Sequence, residues 1–221
     1  MTKYNLDVVS VPTLSNNKPQ QVIILCHGYG GDGKDISSLA INWQRFLPDA
    51  IFLCPNAPEV CDINPTGYQW FDLSNEKEEI ILEKSLVAEE KLSLFIDQAL
   101  NDLQLETSNL ALVGFSQGCM ISIQTGLKKK NKINSLIGYS GKIINQKHLK
   151  DNINSHPKIY LMHGENDTIV SPMHLLEAKE YLSNQGIKIK TKIFKNCEHS
   201  IPVEGSSFGL AFLRKNLLLL K

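Results

Sequence analysis

Short apolar segments alternate with longer amphipathic ones along most of the chain. Several of the short segments are apolar at nearly every position, which is typical of strands covered on both faces in a parallel sheet. We predict strands at Leu6–Val11, Gln21–Cys26, Ala50–Cys54, Asn109–Val113, Ser135–Tyr139, Lys158–Met162 and Lys188–Phe194. Apolar and polar residues alternate in the last of these, so we expect it near an edge of the sheet, with one face in water.

The segments between the predicted strands are helix-like. The longest keeps its apolar residues mainly at three- and four-residue steps, the spacing that gives a helix one buried face. We predict helices at Ser37–Phe46, Glu78–Leu103, Gly118–Lys130, Pro172–Asn184 and Ser206–Leu219. Ser171 is the expected N-cap of the fourth helix, with proline at its first position. Because strands and helices alternate, the expected fold class is α/β, with a mostly parallel, doubly wound sheet flanked by helices.

Composition narrows the class of protein. The 221 residues are 42% hydrophobic and 21% charged, which disfavours collagen, coiled coil and disorder. No linker composition divides the chain, so we expect one domain over residues 1–221. The 23 basic and 23 acidic residues balance, so general attraction to nucleic acid is not expected.

Two further features of the chain suggest a compartment. No apolar run approaches the roughly 20 residues that span a bilayer, and Asp7 interrupts the first segment where a secretory leader needs an apolar core. The five cysteines are an odd number without a C-x-x-C pair, so neither a disulfide framework nor a cysteine-rich zinc site is expected. We therefore expect a cytoplasmic protein without a bound metal.

The strongest candidate for chemistry is Gly114-Phe115-Ser116-Gln117-Gly118. It matches G-x-S-x-G and lies between a predicted buried strand and a predicted helix, where such a turn exposes a nucleophilic serine. Side chains at Gly114 and Gly118 are expected to clash in this turn. The alternative is a tight turn whose serine only caps the helix.

A nucleophilic serine needs a base, and the base needs an orienting group. Loops that leave the same edge of a parallel sheet supply candidates: Asp167 follows the strand at 158–162, and His199 follows the strand at 188–194. The chain order serine, aspartate, histidine is the order of α/β-hydrolases. Glu165 is the rival acid.

The remaining histidines and one further carboxylate have more ordinary interpretations. His27 and His163 are expected to pack within loops through hydrogen bonds, and Asp72 is expected to be structural. We expect exposed side chains at His148, His156 and His174.

Hydrolysis of an acyl group also needs donors for the developing oxyanion. One donor would be the backbone amide of Gln117, directly after the nucleophile. The second is expected from the glycine-rich loop His27–Gly33, and we assign it to the amide of Tyr29. A flexible glycine loop or a phosphate cradle is the alternative, although the loop lacks the nucleotide-binding fingerprints.

These motifs together resemble the phospholipase/carboxylesterase family of α/β-hydrolases, which includes acyl-protein thioesterases and small bacterial carboxylesterases. The matching segments are Leu25–Gly30, Pro55–Pro58, Gln69–Asp72, Gly114–Gly118, Tyr139–Gly141, His163–Asp167 and His199–Ile201. The resemblance implies hydrolysis of carboxylic esters or thioesters without a cofactor, through an acyl-serine intermediate. It implies a catalytic triad of Ser116, Asp167 and His199, with oxyanion amides at Tyr29 and Gln117.

Some positions depart from the family pattern. Cys119 and Glu198 stand where members usually have glycine, so we expect a packing change near the first and an altered loop near the second. The segment Pro58–Gly67 is individual. It is predicted to border an acyl pocket with Trp70 and Phe71, although core packing explains these aromatic residues equally well.

The resemblance leaves the substrate open. The candidates are a small acyl ester, a thioester such as an S-acylated protein, or a lysophospholipid. A catalytically silent member that binds acyl groups or a partner is the alternative from another class. We expect at most transient membrane contact, and the apolar segment Leu217–Leu220 could pack on the core or form a homodimer.

Overall fold

The computed structural model describes residues 3–74 and 77–218, which form two layers of helices around a central sheet. Its strands are β1 Val8–Val11, β2 Gln21–Cys26, β3 Ala50–Pro55, β4 Glu59–Cys61, β5 Asn64–Gln69, β6 Leu110–Phe115, β7 Ser135–Tyr139, β8 Lys158–Gly164 and β9 Ile189–Phe194. Its helices are α1 Gly33–Gln44, α2 Glu78–Leu103, α3 Gln117–Lys128, α4 Gln146–Lys150, α5 Met173–Asn184 and α6 Val203–Leu217, and a 3₁₀ turn covers Thr107–Asn109. This is the α/β-hydrolase fold.

Within the described residues, seven strands form the sheet in the order β1-β3-β2-β6-β7-β8-β9. The strand β1 pairs antiparallel with β3, and every other pair in this sheet is parallel. The strand β9 lies at an edge, as its alternating pattern predicts. Because β2, β6, β8 and β9 run in the same direction, the loops that follow them leave one common edge of the sheet.

The two faces of the sheet bury separate apolar cores. In β2, Val22 and Ile24 pack on one side with α2, α3, α4 and α5, whereas Ile23 and Leu25 pack on the other side with α1 and α6. All four side chains are fully buried. A strand with both faces covered has no position in contact with water, which explains why residues 22–26 of β2 are an unbroken apolar run.

Most predicted elements are confirmed, and the differences lie at their ends. The predictions for β2, β7 and α2 match to the residue. The helix α6 begins three residues earlier than predicted, and the predicted end at Leu219 lies outside the described residues. Ser171 accepts a hydrogen bond from the amide of Met173 at 3.3 Å, but the helix begins at Met173, one residue later than predicted.

The hairpin β4–β5 and the short helix α4 were not predicted. The hairpin pairs antiparallel outside the main sheet, with an irregular register at Val60 and Cys61. Its second strand contains Pro65 and Gly67, which are normally depleted in strands, and its burial does not alternate. A sequence pattern therefore could not reveal it.

The C-terminal helix packs on the molecule's own core. Leu217 is fully buried among residues of α1 and the sheet, which agrees with the first of the two expectations for this segment. Leu219 and Leu220 lie outside the described residues. In the part of the chain that the structure describes, no helix is long and apolar enough to cross a bilayer.

Candidate active site

Ser116 lies in a strained turn between β6 and α3. Its backbone has φ 53° and ψ −119°, a left-handed conformation that is costly for a residue with a side chain. The surroundings hold it there: the Ser116 amide donates to the carbonyl of Tyr139 at 2.8 Å, and the Ser116 carbonyl accepts from the amide of Cys119 at 2.9 Å. The turn presents the hydroxyl at the carboxyl edge of the sheet and leaves the serine almost completely buried.

Two glycines allow this turn, as predicted. A Cβ at Gly114 would overlap the carbonyl oxygen of Gly118, and a Cβ at Gly118 would overlap the carbonyl oxygens of Cys26 and His27. Because backbone cannot move aside as a flexible side chain can, α3 approaches β2 this closely only without side chains at these positions.

We expect Gly118→Ala to destabilise the protein by roughly 1–3 kcal/mol, as overpacked substitutions do. Gly126→Ala in the same helix is the matched control, because its Cβ would meet only methyl groups of Ile133, Leu112 and Leu136 at 3.1–3.2 Å. Urea unfolding midpoints of both variants measure the difference. Equal midpoints would contradict the proposed role of backbone overlap.

His199 joins Ser116 to Asp167. Its Nε2 lies 2.9 Å from Ser116 Oγ, and its Nδ1 lies 2.7 Å from Asp167 Oδ2. The structure therefore brings together three residues that are 83 and 32 positions apart in the chain. The rival acid, Glu165, is exposed to solvent. An imidazole in this position can take the serine proton while the carboxylate orients its ring.

The Asp167 carboxylate is buried and accepts hydrogen bonds at both oxygens. Its Oδ1 accepts the backbone amides of Ile169 and Val170 at 3.0 and 2.8 Å. Burial alone would raise the pKa of Asp167, but the bonds from Val170, His199 and Ile169 outweigh it and hold the pKa below its ordinary value. The group is therefore an anion near neutral pH.

A second histidine contacts the same carboxylate. His163 Nε2 lies 3.1 Å from Asp167 Oδ2 and 2.8 Å from the Val170 carbonyl oxygen. Both neighbours are acceptors, so Nε2 carries the proton, and burial lowers the pKa of His163. The predicted packing role of His163 is confirmed. Its contact with Asp167 was not predicted, because the sequence around His163 does not show which side chains lie beside it in the fold.

The two predicted oxyanion donors are available. Neither the backbone amide of Tyr29 nor that of Gln117 donates a hydrogen bond to any other residue that the structure describes. The Gln117 side chain makes two other hydrogen bonds: its Oε1 accepts one from the Trp70 amide at 2.8 Å, and its Nε2 donates one to the Phe71 carbonyl at 2.6 Å. These bonds tie the first turn of α3 to the segment after β5.

Hydrogen bonds hold the His27–Gly33 loop in place. His27 Nε2 accepts the Ala57 amide at 3.0 Å, so the proton lies on Nδ1, which donates to the Gly28 carbonyl at 2.7 Å. Burial lowers the pKa of His27, in agreement with the packing role predicted for it. The loop also pairs with the hairpin, since the amides of Gly30 and Tyr68 bond to the carbonyls of Tyr68 and Gly31 at 2.9 and 2.8 Å.

A cleft of about 750 Å³ opens beside His199, between α1 and α6; we call it the α1–α6 cleft. Neither Trp70 nor Phe71 lines it. Both side chains are fully buried in the core beneath α2 and α3, and the Trp70 indole donates to the His27 carbonyl at 3.0 Å. Full burial agrees with the alternative of core packing, and a role for these two residues in a substrate pocket stays a prediction. The segment Pro58–Gly67 does not line the cleft either.

Both departures from the family pattern are accommodated. Cys119 is buried, and its Sγ fills the space beside Gly138 and Gly141, where a Cβ would overlap it. Burial raises the pKa of the Cys119 thiol to about 12. Glu198 is exposed, and its backbone carbonyl accepts the Ser200 amide at 2.8 Å.

The remaining predictions concern residues away from this centre. Asp72 forms an ion pair with Lys84, whose hydrogen bond, together with bonds from Ser74, lowers the Asp72 pKa to about 2. His156 is exposed as predicted, and the His174 side chain is 34% exposed. The expected exposure of His148 is wrong, because it is half-buried. No cluster of three or more potential metal ligands occurs among residues 3–74 and 77–218.

Comparisons with known proteins agree with this geometry. The model of the Phospholipase/Carboxylesterase family matches residues 10–217. The chain is 24% identical to Esterase YpfH of Escherichia coli K12, covering 90% of this chain and 85% of the relative. It is 29% identical to Acyl-protein thioesterase 1 of Aspergillus fumigatus, covering 88% and 86%.

A solved structure is similar along almost its whole length. The crystal structure of esterase PE8 superposes with a TM-score of 0.92 at 34% identity, covering 96% of this chain and 99% of that one. Together with the family model, which spans nearly the whole sequence, this shows that the chain belongs to the phospholipase/carboxylesterase family and is a hydrolase of the esterase and acyl-protein thioesterase type.

Proposed function

We propose that the protein hydrolyses acyl esters and thioesters through an acyl-serine intermediate, with Ser116 as nucleophile, His199 as base and Asp167 as orienting acid. One observation carries the proposal: the His199 imidazole bridges the Ser116 hydroxyl and the Asp167 carboxylate, at 2.9 and 2.7 Å. A purely structural role for His199 would not explain why its two ring nitrogens contact a serine in a strained turn and a buried carboxylate.

In the acylation step, His199 Nε2 takes the hydroxyl proton as Ser116 Oγ attacks the carbonyl carbon. The carbonyl oxygen becomes an anion, which the free amides of Tyr29 and Gln117 stabilise by hydrogen bonds, each typically worth about 3–4 kcal/mol in such sites. The imidazolium then gives its proton to the leaving oxygen or sulfur, and the bond to the leaving group breaks. The acyl group remains on Ser116.

In the deacylation step, water replaces the departed group. His199 takes a proton from the water as its oxygen attacks the acyl carbon, and the same two amides stabilise the second tetrahedral anion. The proton returns to Ser116 Oγ as the acid product leaves. Asp167 stays ionised throughout and stabilises the imidazolium, which its lowered pKa allows.

The names of the relatives support the proposed substrate class. Curated relatives are called esterase and acyl-protein thioesterase, so we propose small acyl esters and thioesters, S-acylated proteins included, as substrates met in the cytoplasm.

A fluorophosphonate probe tests the proposed function directly, because it reacts covalently with an activated serine. We expect the wild-type protein to be labelled and Ser116→Ala to remain unlabelled. Ser140→Ala is a suitable control: Ser140 is also buried and also has a positive φ of 49°, so its loss should leave labelling intact. Failure to label the wild type would favour a silent, acyl-binding member of the family.

A further inference from the structure

We propose that the α1–α6 cleft binds the leaving group of the substrate and selects an uncharged alcohol or thiol with an apolar body. The inference rests on the proposed function, since it needs Ser116 as the nucleophile. It assigns one side of the reaction centre to the part of the ester that departs, which neither the triad nor the family membership does.

The cleft begins beside the reacting atoms, at His199, and Ser116 itself is not among the residues that line it. His199 and Gly28 both line it, and they flank the nucleophile: His199 Nε2 is 2.9 Å from Ser116 Oγ, and a Cβ at Gly28 would lie 3.2 Å from Ser116 Cβ. Phe115 forms the wall between them, with its ring centroid 4.9 Å from that of His199. A group attached to the reacting carbon can therefore enter the cleft directly.

The direction of proton transfer identifies which group enters. The imidazolium must protonate the leaving oxygen or sulfur, so the leaving group departs beside Nε2 of His199. The residues that follow the histidine, Ser200, Ile201 and Val203, continue along the cleft. Of the two proposed oxyanion residues, Tyr29 lines the cleft and Gln117 does not, so we assign the Gln117 side of the nucleophile to the acyl group.

The walls explain the preference for an apolar body. Apolar side chains come from both helices, from the segment after α1 and from the loop after His199, and they include Ile36, Leu39, Trp43, Phe46, Ile201 and Leu210. Two hydrogen bonds fix α6 to its neighbours: the Trp43 indole of α1 donates to Ser206 Oγ at 3.0 Å, and the Tyr139 hydroxyl of β7 donates to the Gly205 carbonyl at 3.0 Å. A volume of about 750 Å³ lies in the range that encloses a drug-sized molecule.

The charges of the cleft favour a neutral occupant. Asp35 and Arg45 line it with opposite signs, and both are exposed at the rim. His27, at the inner end, has a pKa lowered by burial, so it adds no positive charge at neutral pH. The two charged residues that line the cleft therefore balance, and a phosphate or a carboxylate in the leaving group would gain no net attraction from them.

The test varies the two halves of the substrate independently. One series is ethyl, butyl, hexyl and octyl acetate, and the other is the ethyl esters of acetic, butanoic, hexanoic and octanoic acid, with kcat/KM measured by proton release. In the wild type we expect kcat/KM to rise along the alcohol series by about two- to fourfold per methylene group, as apolar burial predicts.

Two variants narrow the cleft from opposite walls. Ser38→Trp projects from α1 and Ser207→Trp from α6, and both serines line the cleft and are exposed. We expect each to lower kcat/KM for octyl acetate at least tenfold while ethyl acetate and ethyl octanoate change less than twofold. Ser183→Trp is the matched control, because Ser183 is an exposed serine of α5 that does not line the cleft.

Three outcomes would overturn the assignment. A loss confined to ethyl octanoate would place the acyl chain in the cleft, and unchanged ratios in both variants would mean that the cleft holds no part of the substrate. An equal loss on every ester would also contradict a length-selective subsite. Failure of the proposed function is a separate result, since it would appear as hydrolysis of ethyl acetate that survives Ser116→Ala.

Discussion

Replacing Ser116 with alanine should lower kcat for a p-nitrophenyl ester by about a millionfold, the scale on which loss of the nucleophile acts in serine hydrolases. Among the residues that the structure describes, Ser116 carries the only hydroxyl hydrogen-bonded to His199 Nε2, so none of the others is placed to replace it. The residual rate should come from direct attack of water on the ester, with the amides of Tyr29 and Gln117 stabilising the resulting oxyanion.

Stability should not fall with the rate. Alanine removes one hydroxyl, and it relieves none of the strain at φ 53°, which belongs to the backbone. Steady-state kinetics measure kcat, and thermal unfolding of the same preparation measures the stability of the variant. A rate within tenfold of the wild type would mean that the nucleophile has been misassigned.

Asp167→Asn should lower kcat by about 10⁴, through an imidazole held in the wrong tautomer. In the wild type, Asp167 Oδ2 accepts a hydrogen bond from His199 Nδ1–H at 2.7 Å. An amide at this position can donate to Nδ1, which leaves the proton on Nε2, where it blocks acceptance of the serine proton. Steady-state kcat against pH, measured with an activated ester, checks this expectation.

Glu165→Gln is the matched control for this prediction. Glu165 lies two residues before Asp167 in the same loop, and its side chain is exposed. Glu165→Gln makes the same chemical change, a carboxylate replaced by an amide of equal size, at a side chain exposed to solvent. We therefore expect less than a twofold change in kcat. A mild effect of Asp167→Asn combined with a severe effect of Glu165→Gln would reverse the assignment of the acid.

The central strands of the sheet and the helix α2 could be predicted from the sequence, because the burial of each appears in the pattern of its own residues. In β2 and β7, both faces are covered by helices, so every position is buried and almost all are apolar, and the run of apolar residues marks the strand. In α2, one face is buried, and the three- and four-residue spacing reproduces the bounds Glu78–Leu103. Such patterns need no knowledge of what covers each face.

The grouping of Ser116, Asp167 and His199 was also accessible, for a topological reason. Parallel strands place their carboxyl ends along one edge, so residues directly after β6, β8 and β9 share that edge wherever the helices go. The choice between Glu165 and Asp167 was not accessible in this way. They are two residues apart in one loop, and only the folded backbone decides which carboxylate is buried beneath His199.

By itself the sequence determined the α/β class, the order of the seven strands of the main sheet and of the five longer helices, and the serine turn, because each follows from local burial patterns and from glycines that permit close backbone contact. The tertiary structure alone decided what depends on contacts between distant segments. It places the hairpin β4–β5 against the His27–Gly33 loop, His163 against Asp167, Trp70 and Phe71 in the core, and the α1–α6 cleft beside His199. None of these contacts leaves a periodic trace in the chain: the hairpin and the loop bond through their backbones, and His163 meets Asp167 only because the loop between them folds back.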